Sequence, residues 1–85
     1  MKERELTVER VQYSARMNTQ RVGGFTDDEL YRLKRMPNAE AEEALLEMLD
    51  KRNNGLGTRW ACGYGVQSVW FDNEYAYVNI GNSCD

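Results

Sequence analysis

Two hydrophobic periods divide this chain. Between Phe25 and Arg52 the apolar residues recur three or four positions apart, as on one face of a helix, and beyond Gly55 they give way to short runs with strand-like alternation. The sharpest local signal is Phe25-Thr26-Asp27-Asp28-Glu29-Leu30. Thr26 can accept from the backbone of Glu29 while Glu29 reaches back to Thr26, so a helix is predicted from Asp27. It carries Leu30, Leu33 and Met36 on one side and stops at Pro37, whose ring disfavours helical geometry in the preceding residue. Asn38 is expected to cap a second helix from about Ala39 to Arg52, with Ala41, Leu45, Met48, Leu49 and Arg52 along its inner stripe. Asn53-Asn54-Gly55 ends it, because Gly55 can take the left-handed conformation that closes helices.

The first twenty-four residues carry a mixed pattern. Val8, Val11, Ala15 and Val22 fit a helical face, Thr7 is a cap and Gly23-Gly24 a stop, which predicts a helix from about Val8 to Arg21. Strict alternation fails at Arg10-Val11, which counts against the competing reading, a strand from Glu5 to Tyr13.

Val66–Phe71 and Glu74–Ile80 are rich in β-branched and aromatic residues, with Asp72-Asn73 between them as a two-residue turn. That register sets Phe71 opposite Glu74, Trp70 opposite Tyr75 and Val69 opposite Ala76. Alternation then gives Val69, Phe71, Ala76, Val78 and Ile80 one face, and Val66, Trp70, Tyr75 and Tyr77 the other. A preceding strand from Thr58 to Cys62 would bury Trp60 and Cys62 and place Arg59 among the aromatics. The predicted architecture is α+β: a three-stranded antiparallel meander, about residues 57–81, packed on one face by two or three helices within residues 8–52.

Eighty-five residues support one core, so residues 1–85 are expected to form a single domain. Charge is divided: residues 1–36 hold eight Lys or Arg against six acids, and residues 37–85 hold three against eight. The acidic part argues against broad electrostatic capture of nucleic acid. A local basic strip through Arg10, Arg16, Arg21, Arg32, Lys34 and Arg35 is set against ordinary solvated helix faces. No apolar run approaches the ~18 residues of a membrane span, and Met1–Arg16 lacks the apolar stretch of a signal peptide, so a cytoplasmic location without membrane attachment is expected. Cys62 and Cys84, with no histidine in the chain, make neither a disulfide framework nor a zinc set. Two thiols are expected, Cys62 as a buried small hydrophobe, with a Cys62–Cys84 bond left open because Cys84 lies in a tail that could fold back; no metal or cofactor is expected.

Catalytic chemistry is thinly provided. Cys62 has no neighbouring base, and Glu40, Glu42, Glu43 and Glu47 lie along an exposed helix face, so an enzyme is not expected. The glycines of Gly55-Leu56-Gly57 and Gly63-Tyr64-Gly65 follow a helix and precede a strand, the reverse of a phosphate-binding loop, and read as caps and turns. The constellation left over is Trp70, Tyr75 and Tyr77 with Arg59, a stacking platform for a partner protein, a flat ligand or bases. Against it stands a purely structural reading, in which cross-strand pairs are covered by the N-terminal segment.

Asn54-Gly55-Leu56-Gly57-Thr58, Trp60, Gly63-Tyr64-Gly65-Val66 and Trp70 through Asp85 resemble the C-terminal end of small uncharacterised proteins encoded on mobile elements of Gram-positive gut bacteria. The resemblance covers about a third of the chain and implies a bacterial or phage accessory role, with no functional residue to carry over. The expected function is a small protein-interaction module, an accessory or inhibitory factor of a mobile element, acting through the aromatic sheet face. Two alternatives stay open: a single-stranded nucleic-acid binder and a structural homodimer.

Overall fold

A computed structural model describes residues 4–13, 17–61 and 65–81. Cys62, Cys84 and Arg16 lie outside the described residues. The fold is α+β, with element order β1 (Thr7–Tyr13), β2 (Met17–Gly23), α1 (Asp27–Arg35), α2 (Asn38–Arg52), α3 (Leu56–Trp60), β3 (Val66–Phe71) and β4 (Ala76–Gly81). The strands form one four-stranded antiparallel sheet in the order β1-β2-β4-β3. Two hairpins, one from each end of the chain, are therefore joined through β2 and β4.

The N-terminal helix expected over Val8–Arg21 is two strands, and the physical reason lies at the residues that argued for a helix. The β1–β2 register shifts between Arg10 and Gln12, so Val11 occupies a β-bulge. A bulge inserts one extra residue and breaks alternation without ending the strand. On either side of it the pattern is regular: Val8 pairs with Val22 on the face toward the core, and Glu9 with Arg21 on the other.

Residues Thr58–Trp60, expected in a strand, belong to the short helix α3. Tertiary contacts decide this. Asn54 and Gly55 both take positive φ, and the Asp50 carboxylate accepts from the Thr58 backbone N–H at 2.7 Å and from its hydroxyl at 3.0 Å. Gly57 then approaches α2 so closely that a Cβ there would stand 2.1 Å from the Leu46 carbonyl oxygen. The seat leaves Trp60 buried, as expected, but delivers it from a helix.

The capping box at Thr26 and Glu29 is present in both directions, and Leu30 and Leu33 are buried. In α2 the inner stripe is Ala41, Leu45 and Leu49, while Pro37 rather than Asn38 takes the cap position and no side chain caps the helix. A proline there costs nothing, since its missing N–H would have been unpaired in any case. At the other end, Asn53 mimics a strand partner. Its side chain accepts from the Leu6 N–H at 3.0 Å and donates to the Leu6 carbonyl at 2.8 Å, which ties the segment before β1 to the helix layer and buries Leu6.

The β3–β4 hairpin differs from expectation in length but not in facing. Residues 72–75 form a four-residue loop, and Phe71 pairs with Ala76, Trp70 with Tyr77 and Val69 with Val78. A shift of two residues preserves which side each residue points to. Val69, Ala76, Val78 and Ile80 accordingly meet Leu45, Leu49 and Trp60 in the core, with Phe71 packed against it. Val66 is the exception: a second bulge between Val66 and Ser68 turns it to the core side, opposite Ile80.

Gly57→Ala should lower stability by at least about 2 kcal/mol, the cost of forcing backbone apart in a packed layer. Urea unfolding of the two proteins measures it, and equal midpoints would mean that α3 does not sit on Leu46.

Candidate functional site

One side of the sheet packs against α2 and α3, with α1 against α2, and the other side carries a row of side chains spanning all four strands. Antiparallel pairing places Glu9 of β1 beside Arg21 of β2, Arg21 beside Tyr77 of β4, and Tyr77 beside Trp70 of β3. Neighbouring strands stand about 4.8 Å apart, so these four side chains are in reach of one another. The row's geometry is specific at each step.

Trp70 and Tyr77 are stacked, with ring centroids 5.6 Å apart and planes 7° from parallel. The stack stays accessible: Trp70 is 43% exposed, whereas Trp60 in the core is 9% exposed. Tyr77 donates its hydroxyl to the Asp72 carboxylate at 2.7 Å. The same carboxylate accepts the backbone N–H groups of Glu74 and Tyr75 at 2.9 and 2.7 Å, which organises the hairpin loop. Donation by Tyr77, followed by the two amides, holds the Asp72 pKa below its ordinary value, and accepting by Asp72 raises that of Tyr77.

Tyr75 lies one position along, over Gly23. A Cβ at Gly23 would stand 2.8 Å from the tyrosine ring and 2.9 Å from the Thr7 hydroxyl, so glycine leaves the room in which the ring is laid down. Above that ring sits the Arg21 guanidinium, 4.6 Å from its centroid, with Nη2 2.6 Å from a Glu9 oxygen. Beyond the aromatic row the next row is polar, Gln12, Thr19, Asn79 and Ser68, in which the buried Thr19 hydroxyl donates to the Asn79 side chain.

Trp70, Tyr75 and Tyr77 are thus brought together on the sheet face opposite the helices. Arg59 is not with them. It lies on α3, in the helix layer, and the cation that joins the aromatics is Arg21. Glu9, Arg21 and Asp72 are the partners that sequence reasoning missed. The signal for the first two was the alternation of Thr19 and Arg21 with Gln20 and Val22, legible once residues 17–23 are taken as a strand.

The basic strip is divided: Arg10 and Arg21 occupy opposite faces of the sheet, Arg32 pairs with Asp28, and Arg35 donates to Tyr31 on α1. Among the described residues no cluster of metal-ligating side chains occurs, and no helix is long and apolar enough to cross a membrane. What the face offers is two aromatic surfaces, one carboxylate-backed cation and a second, hydrogen-bonded carboxylate. No protein-family model matches the chain, and no curated protein and no solved structure matches it.

Two measurements follow. Acrylamide should quench one of the two tryptophans strongly, and Trp70→Phe should remove that component and leave the protected Trp60 signal; quenching of both or neither would contradict the exposure described. The Tyr77–Asp72 bond should also give stability a defined pH dependence. Asp72, with a folded pKa below its ordinary 3.8, contributes above that value and loses the contribution as pH falls through the folded pKa. Tyr77, with a folded pKa above its ordinary 10.0, contributes below that value and loses it as pH rises through the folded pKa. Tyr77→Phe should therefore be less stable than the parent near neutrality, with the difference closing in strong acid and strong alkali; a gap independent of pH would reject the bond.

Proposed function

We propose that the protein is a small non-enzymatic interaction module that docks a protein partner on the outer sheet face, as an accessory or inhibitory factor. The observation that carries this reading is the Trp70–Tyr77 stack, a large aromatic surface left open in a chain that buries Trp60. Aromatics held in place by neighbours give up little entropy on binding and supply much of the contact energy at protein interfaces. Both rings here are held, Trp70 by Tyr77 and Tyr77 by Asp72.

Single-stranded nucleic acid could stack on the same rings, and the charge of the face weighs against it. Arg21 is tied to Glu9, and residues 65–81 add Asp72 and Glu74 without a Lys or Arg. A phosphate chain needs unneutralised cations along its path. Trp70→Ala/Tyr77→Ala should therefore lose partners that the parent chain captures from its own cells, with the circular-dichroism spectrum preserved. Retention of every partner by the folded double variant would remove the proposed face, and saturable oligonucleotide binding at low salt would favour the nucleic-acid reading.

A further inference from the structure

The outer face also carries information about which partner it fits, an inference resting on the docking reading above. The chain's own Arg21 displays a mode of occupancy: its guanidinium lies over the Tyr75 ring while a carboxylate, Glu9, takes its N–H donors. An aromatic plane and an acid together suit arginine better than lysine, because a flat guanidinium can stack and hydrogen-bond at once. The neighbouring Trp70–Tyr77–Asp72 group offers the same two ingredients. Trp70 uses one side against Tyr77 and stands on the edge strand β3, with 43% of its surface open. Asp72 lies at the hydroxyl end of the ring on which Trp70 is stacked, and Glu74 follows in the same loop.

Charge and size narrow the occupant. Arg21 is the one cation among the described ladder positions of this face, and it is already paired, so Asp72 and Glu74 leave the region acidic. Such a field attracts a basic segment and repels phosphate. Four strands at about 4.8 Å spacing and about six residues of length make a patch of roughly 400 Å², half of the ~800 Å² per partner in a stable complex. A second copy of the chain laid face to face would bring another acidic face against this one, whereas a basic extended segment of about six residues spans the patch with complementary charge.

We propose that the outer face binds an extended, arginine-bearing protein segment, one guanidinium lying on the open side of Trp70 and donating to the Asp72 carboxylate. The low pKa of Asp72 keeps that carboxylate charged at neutral and mildly acidic pH.

The test is selection of a random decapeptide display library on the intact protein, with counter-selection on Trp70→Ala. Because that variant also removes the stacking partner of Tyr77, Asp72→Asn, which keeps both rings and a side-chain oxygen that can still accept from Tyr77, serves as a second counter-target once its circular-dichroism spectrum matches the parent's. Binders that depend on Trp70 should be rich in arginine over lysine. A selected peptide should weaken at least about tenfold when its arginine becomes the uncharged isostere citrulline, and by a similar factor on Asp72→Asn, in line with a charge-assisted contact. Trp70-dependent binders that lack arginine, or that tolerate citrulline, would overturn this inference and leave the docking face standing. An absence of Trp70-dependent binders would overturn both.

Discussion

The pairing of β2 with β4 is the contact on which everything else rests. Each hairpin alone is two strands, too little for stability in water. Joined, they make a sheet whose central strands supply Val22, Ala76 and Val78, all with no exposed surface, beneath Leu45 and Leu49. The same joint assembles the outer row, because Arg21 comes from one end of the chain and Tyr77 from the other. Core and candidate site are thus two sides of a single ladder, and a slip there by one residue would exchange them.

Much of this was legible where local chemistry and tertiary structure agree. Thr26 and Glu29 mark the start of α1 through bonds three residues apart, and the stripe of Ala41, Leu45 and Leu49 needs only helical geometry. The facing of β3 and β4 survived an error in loop length, because the side-chain period of a strand is two and the error was two. The N-terminal hairpin was legible only in part: a strand over Glu5–Tyr13 stood as the competing reading and β1 falls within it, but the bulge at Val11 hides its alternation, and β2 was missed. Nor was α3: Thr58 and Trp60 favour strands by propensity, and their helix exists because Asp50 caps it and Gly57 fits against Leu46. At the candidate site the aromatics could be read from sequence because they lie on a hairpin. Arg21 and Glu9 could not, for they arrive through the distant joint of β2 with β4, and Asp72, though in the same hairpin, was hidden by the two-residue turn expected there.

The outer face joins rigidity to polarity. Trp70, Tyr77 and Asp72 are chained by a stack and a hydrogen bond, and Asp72 is itself fixed by two loop amides. Tyr75 is pressed onto Gly23 under Arg21. Few of these groups need reordering to meet a partner, which lowers the entropic cost of binding and lets a small patch discriminate by charge and planarity.

Both outer strands, β1 and β3, contain a bulge, at Val11 and beside Gln67. A sheet grows by adding chains to an uninterrupted row of edge amides, and here each row is interrupted. Each interruption works against edge-to-edge pairing between copies of the chain. Trp70 stands on one of these edge strands, so the bulge beside Gln67 breaks the row of edge amides in the same strand that carries the open aromatic.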